Sequence, residues 1–173
     1  MQRPKRCSDF LPGHPARNVL FVGAERSDEF ADAMGLDGEG HVVTVVNPRL
    51  TFAAKAFQAR DGRFVPLRVE HLPAAAGRFD VICENYPYPL RHYSGPAKRF
   101  ALARLTRLAP GGRWILHTES PRFATALKAL ADFDADVARG FSVRASSLSP
   151  QQAPPSLYPP VNTRFRLIFQ RRG

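Results

Sequence analysis

The stretch Arg78-Phe79-Asp80-Val81-Ile82-Cys83-Glu84-Asn85-Tyr86-Pro87-Tyr88-Pro89 decides the fold. Phe79, Val81 and Ile82 form a short β-favouring apolar run, which passes abruptly into polar and aromatic residues. A parallel strand buried on both faces reads this way when its C-terminal end carries side chains to a site. Asn85, Tyr86 and Tyr88 supply an amide, two phenols and flat faces for stacking, while Pro87 and Pro89 stiffen the loop and remove two backbone donors.

Upstream of this stretch, strands alternate with helical segments. Residues 18–22 (Asn-Val-Leu-Phe-Val) read as a first strand with Gly23 at its turn. Ser27 is placed to cap a helix with Asp28 and Glu29 in its first turn and Phe30, Ala33 and Met34 facing inward. Residues 41–46 read as a second strand stopped by Asn47-Pro48, residues 51–60 as a helix, and residues 64–69 as a third strand. Downstream, residues 96–109 predict a helix broken by Pro110-Gly111-Gly112, and residues 113–118 a fifth strand. Residues 121–132 form a helix with the stripe Phe123, Leu127 and Leu130, and residues 141–145 and 164–170 close the chain as strands. Five prolines between 149 and 162 mark an irregular loop, and the Pro- and Arg-rich residues 1–17 a loose basic arm before a single domain, 18–173. The fold class is α/β, a mostly parallel doubly wound sheet with helices on both faces.

Composition narrows the classes of function. Twenty-five Lys and Arg against 15 Asp and Glu give a formal charge of +10, which favours a polyanionic partner, nucleic acid before membrane. Cys7 and Cys83 are too few for a disulfide framework and suit a reducing, cytoplasmic setting. No run is long and apolar enough to span a bilayer. The five histidines show no metal-ligand spacing, and neither a nucleophile elbow, a Walker loop nor a Gly-x-Gly-x-x-Gly turn is present. His117 and Glu119 end the fifth strand, where a hydrogen-bonded structural histidine is the first reading and a base the second. Arg91, His92, Lys98 and Arg99 follow the fourth strand beside tyrosines, a pattern that suits single-stranded nucleic acid, whereas Arg104 and Arg107 read as a solvated helix face.

The motif order resembles the class I S-adenosylmethionine-dependent methyltransferases, a Rossmann-like fold. Val-Leu-Phe-Val-Gly23-Ala24 is similar to their first motif, and Val-Thr-Val-Val-Asn47-Pro48 to the strand that ends at the ribose. Val69-Glu70-His71-Leu72-Pro73 is similar to the segment beside the adenine, and Leu108-Ala-Pro110-Gly111-Gly112-Arg113 to the turn into the fifth strand. The last strands are similar to the family's terminal hairpin, so the final strand is expected to be antiparallel. The resemblance implies S-adenosylmethionine as cofactor, with Gly23, Ala24, Glu25, Asn47, Glu70 and His71 around it. Asn85-Tyr86-Pro87-Tyr88 resembles the Asn-Pro-Pro-Tyr motif of amino-methylating enzymes, which implies an acceptor loop for an amino group of a nucleic acid or a small molecule. This chain departs from the pattern at Phe21, where an acidic residue is usual, at Glu25 and Ser27, where glycines are usual, and at Asn47, which stands for the ribose carboxylate. A methyltransferase-like binding module without turnover is the alternative that these departures imply.

Overall fold

The computed structural model describes residues 6–11, 15, 17–86, 97–149, 151–152 and 164–173. Seven strands form one sheet in the order β3-β2-β1-β4-β5-β7-β6. In chain order they are β1 (Asn18–Val22), β2 (Val42–Val46), β3 (Arg63–Val65), β4 (Phe79–Asn85), β5 (Leu108–Thr118), β6 (Phe141–Leu148) and β7 (Arg164–Arg171). β1 to β5 pair in parallel, and β7 is antiparallel to both β5 and β6. The expected mostly parallel α/β sheet with an antiparallel C-terminal strand is therefore observed.

Successive side chains of each strand point to opposite faces, so one apolar run feeds two cores. Val19 and Phe21 pack with Val43, Val45, Val81, Cys83 and Ile115 beneath α1 (Ser27–Gly38) and α2 (Phe52–Gln58). Leu20 and Val22 pack with Ile82, Trp114, Leu116 and Phe169 beneath α3 (Ala97–Leu105) and α4 (Pro121–Phe133), the latter followed by α5 (Ala135–Gly140). Trp114 stacks on Phe169 across the β5–β7 pair with centroids 5.1 Å apart.

Several elements differ from the sequence reading, each for a local reason. β3 stops at Val65 because Pro66 has no N–H to offer the ladder, and Val69–His71 turns instead into a 3-10 helix. β5 begins at Leu108, earlier than expected, because the turn residues do not end the strand. The register passes from Phe79↔Leu108 to Val81↔Arg113, so residues 109–112 stand out of the ladder as an irregularity within it. Ser27 is the first helical residue of α1 rather than its cap, which is Arg26.

The N-terminal arm is not loose over residues 7–11. Cys7–Phe10 forms a 3-10 turn, Cys7 and Leu11 are buried in the core under α1, and Cys7 is bonded to Cys83. The Cys7 N–H also donates to the Asp32 carboxylate on α1 at 2.9 Å. This corrects the expectation of two separate thiols: Cys83 points to the face that Cys7 covers. Residues 1–5, 12–14 and 16 of the arm, most of the loop at 149–162, and Pro87, Tyr88, Arg91 and His92 lie outside the described residues.

Arg104 and Arg107 are not a solvated face either. Arg104 is 4% exposed and forms a bidentate pair with Glu84, which is buried on β4, at 3.0 and 2.8 Å. Arg107 donates to the carbonyls of Leu72 and Pro73. A helix beside a buried carboxylate turns its arginine inward, because an unpaired charge there would cost several kcal/mol, roughly 3–5 on removal of one partner.

Candidate functional site

Three neighbouring strands, β2, β1 and β4, end at one edge of the sheet and deliver the candidate residues. After β1 the chain turns at Gly23, whose φ is +71° and whose N–H donates to Val46 at 2.8 Å. Among the described residues, apart from its own chain neighbours, no atom lies within 4 Å of where a Cβ would stand on Gly23, so the turn faces open space. Glycine is needed there for its left-handed backbone rather than for crowding.

Asn47, at the end of β2, is 3% exposed. Its amide nitrogen donates to the Ala24 carbonyl and its oxygen accepts from the Arg49 N–H, both at 2.9 Å. The side chain thus clamps the loop after β1 to the loop after β2. Glu25, half-buried on the former, faces Arg49 on the latter at 3.9 Å.

A hydrogen-bond chain crosses the edge from β7 to α1. Arg166 Nε lies 2.9 Å from His117 Nε2, His117 Nδ1 lies 2.8 Å from Asn85 Oδ1, and Asn85 Nδ2 lies 3.1 Å from Glu29 Oε1. The donors are fixed by chemistry. A guanidinium only donates, so His117 Nε2 accepts, and the neutral ring carries its proton on Nδ1. The atom of Asn85 that faces Nδ1 is then the oxygen, and its NH2 points to a carboxylate that only accepts. Burial pushes the His117 imidazole down to about 3, and the nearby Arg166 guanidinium adds to the effect.

Glu29 holds both sides of this edge. Its second oxygen accepts from the backbone N–H groups of Glu25 and Arg26 at 3.0 and 3.1 Å. These are donors at the start of α1 that no helical carbonyl reaches. Burial raises the Glu29 carboxyl above its ordinary value against the lowering by these hydrogen bonds and that of Asn85.

Tyr86 follows β4 with φ +47°, a left-handed conformation that glycine adopts readily and a tyrosine rarely does. Its N–H donates to the His117 carbonyl at 2.9 Å, its ring lies 6.4 Å from the imidazole, and the Arg164 guanidinium sits 5.5 Å from the ring centre. Burial pushes its phenol up to about 12. Glu70 and His71 lie on the exposed 3-10 turn Val69–His71. Glu70 meets Arg104 at 2.5 Å, and although burial acts to raise its carboxyl, the guanidinium outweighs it and the net shift is downward.

The structure therefore brings Gly23, Ala24, Glu25, Asn47, Asn85 and Tyr86 to one edge, and ties Glu70 to the buried Glu84–Arg104 pair. Sequence reasoning missed Glu29, Arg166 and Arg104. Glu29 was visible only as an acidic residue in a helix's first turn, and the two arginines carried no motif at all. Among the described residues no cluster of His, Cys, Asp and Glu is arranged to hold a metal ion.

No family model and no curated protein matches the sequence. Solved structures do match in three dimensions. The plantazolicin methyltransferase BpumL, solved in complex with SAH and a desmethyl plantazolicin analogue, superimposes with a TM-score of 0.65 at 9% identity over 95% of this chain and 79% of its own. TrmN from Thermus thermophilus gives 0.63 at 21% identity over 94% of this chain, which spans only 46% of TrmN. The antibiotic-resistance methyltransferase Kmr gives 0.61 at 20% identity over 96% and 92%.

The chain has the class I methyltransferase fold. On that fold the Gly23 turn, Asn47 and Asn85 terminate β1, β2 and β4, side by side in the strand order. Among the described residues no helix is long and apolar enough to cross a membrane.

Proposed function

We propose that the protein is an S-adenosylmethionine-dependent methyltransferase acting on an amino group. The observation that carries this reading is Glu29, whose two carboxylate oxygens hold the Gly23–Arg26 loop and the Asn85 amide at once. The edge that would receive a cofactor and the edge that would receive an acceptor are thereby set at a fixed separation, and positioning is most of what methyl transfer asks of a protein.

The residues present suit the cofactor at the Gly23 turn. The open space there accommodates a ligand approaching the backbone, and Glu25 places a half-buried carboxylate on the same loop for a cationic group. Ala24 and Asn47 shape the loop, while Glu70 and His71 lie exposed beyond β3 for the adenine side. Bound there, S-adenosylmethionine supplies an already activated methyl group. Asn85 Oδ1 uses one lone pair on His117 and keeps the other for an N–H of the acceptor, aiming the nitrogen lone pair. The left-handed backbone of Tyr86 is the kind of local strain found at working sites, and it turns the chain at the end of β4.

One observation favours a second reading. Both ends of the Asn47 amide are engaged by the chain itself, so the β2 end offers no carboxylate and a committed amide to a ribose. A methyltransferase-like domain without turnover would look like this. Calorimetric titration with S-adenosylmethionine separates the two. The enzyme reading expects heat of binding in the wild type and its loss in Gly23→Val, because a β-branched side chain disfavours φ near +71° and would enter the open space. Asn85→Ala should keep cofactor affinity and lose at least about tenfold in turnover, the mark of an interaction made in the transition state. Absence of heat from the wild type at millimolar cofactor leaves the non-catalytic module.

A further inference from the structure

The chain is strongly basic, yet the segment after β4 that carries its most evident basic cluster spends much of that charge internally. Lys98 is paired with Asp134 at 2.6 Å, Arg104 is buried on Glu84 and Glu70, and Arg107 is turned onto carbonyls. Unspent charge collects elsewhere. β5, β6 and β7 contain no acidic residue. Residues opposite one another on neighbouring strands share a face, so the register sorts their side chains. Trp114, Leu116, Leu167 and Phe169 pack into the core under α4. Their sequence neighbours necessarily point to the other face.

That other face carries an arginine in three successive rows along β7. Arg166 lies beside Ser146, Arg144 beside Ile168, and Arg113 beside Gln170, itself opposite Ser142. Rows are roughly 6.7 Å apart and strands roughly 4.8 Å, so the three chains spring from a patch about 10 Å wide and 14 Å long. Arg144, Ser142 and Ser146 are exposed, and none of the three arginines is paired with a carboxylate among the described residues. Beside them lies the Phe10 ring, 5.3 Å from the Arg166 guanidinium. α3, α4 and α5 pack on the opposite face, while on this one Ile115 is buried and Ile168 packs against the core beneath α1, and β6 is the outer strand of the sheet.

We propose that this serine- and arginine-lined face of β5, β7 and β6 binds the phosphate backbone of a single-stranded nucleic acid. It deepens the reading above by naming the class of acceptor, and rests on that reading for what the bound strand is for. Guanidinium and hydroxyl groups are the side chains that hydrogen-bond phosphate oxygens, and they hold a strand's register without selecting its sequence. An aromatic ring among cations suits exposed bases. A membrane surface is less well matched, because its binding also needs apolar side chains to enter the acyl boundary, and the exposed positions here are Ser142, Arg144 and Ser146. The face leads directly to the candidate site, since Arg166 is the first member of the chain that ends on Asn85 and Glu29.

The test is fluorescence anisotropy of a labelled single-stranded RNA of mixed sequence, titrated with the full chain at several salt concentrations. The wild type binds with an affinity that falls steeply with salt, and R113E/R144E binds at least about tenfold more weakly, with a salt slope lower by about 1.4, two phosphates at roughly 0.7 each. R113Q/R144Q falls between the two, which guards against misfolding of the double charge reversal. K55E/R60E, the same charge change on and just after α2, stays within about twofold of the wild type. Calorimetry with S-adenosylmethionine gives the same heat for wild type and R113E/R144E, so loss of oligonucleotide binding is distinguishable from loss of the cofactor site. The proposal is overturned if R113E/R144E binds RNA like the wild type, if K55E/R60E weakens binding equally, or if no RNA binds at low salt. It is also overturned if phosphatidylserine vesicles bind through the same arginines more tightly than the oligonucleotide.

Discussion

Lowering the pH should destabilise this fold through His117 by an amount that can be worked out beforehand. In the unfolded chain its imidazole titrates near the ordinary 6.5, and in the folded protein burial, aided by Arg166, holds it at about 3. Between these values the unfolded state takes up a proton that the native state refuses, so stability is complete above pH 6.5 and drains away as the pH falls. At about pH 5 the loss is about 2 kcal/mol, at roughly 1.4 kcal/mol per pH unit once the unfolded ring is protonated. Glu29 acts in the opposite sense. Its raised carboxyl binds a proton more readily in the fold than in the unfolded chain, so its contribution weakens as the pH rises above 4.5. The comparison must therefore be between proteins that share Glu29. Urea unfolding of wild type and His117→Gln at about pH 8 and pH 5 isolates the histidine: the wild type should lose about 2 kcal/mol more than the variant on acidification. Parallel losses would refute the buried neutral imidazole. So would an NMR titration in which the His117 ring protonates near pH 6.5.

Three further perturbations have definite outcomes. Removing one partner of the buried pair, Glu84→Gln or Arg104→Ala, should cost about 3–5 kcal/mol in chemical denaturation, whereas replacing both by leucine and methionine should recover most of it. Gly112→Ala would place a methyl group 2.8 Å from the Ala109 oxygen and 3.0 Å from that of Phe79, both backbone, and should lower stability by about 1–3 kcal/mol in thermal melts. Cys7→Ser opens a bridge between residues 76 apart in sequence and should lower the unfolding free energy by about 2–4 kcal/mol, an effect reproduced by reductant in the wild type and absent from the variant.

The sheet was legible because each central strand is a short apolar run that feeds both cores, a pattern local to five or so residues. Gly23 and Asn85 were legible for the same reason, since each stands at the exit of such a run. What escaped the sequence lies in partnerships across long separations. Arg104 meets Glu84 from 20 residues away, Asn85 meets Glu29 from 56, and Arg166 meets His117 from 49. Nothing in the local pattern distinguishes an arginine turned inward toward a buried carboxylate from one left in water. The Pro110-Gly111-Gly112 signal was sound as chemistry, since those residues do leave the ladder, but the strand resumes its pairing beyond them.

The double grip of Glu29 has a thermodynamic consequence. Any ligand that draws the Gly23–Arg26 loop toward itself competes with the carboxylate for the Glu25 and Arg26 N–H groups, and so changes the hold on Asn85 at the other oxygen. Whatever occupies the Asn85 side must then alter the affinity of the loop's ligand by the same factor, because coupling free energies are reciprocal. The two halves of this edge cannot be filled independently, and Glu29→Gln, which weakens both grips, is the substitution that would bring their interaction energy toward zero.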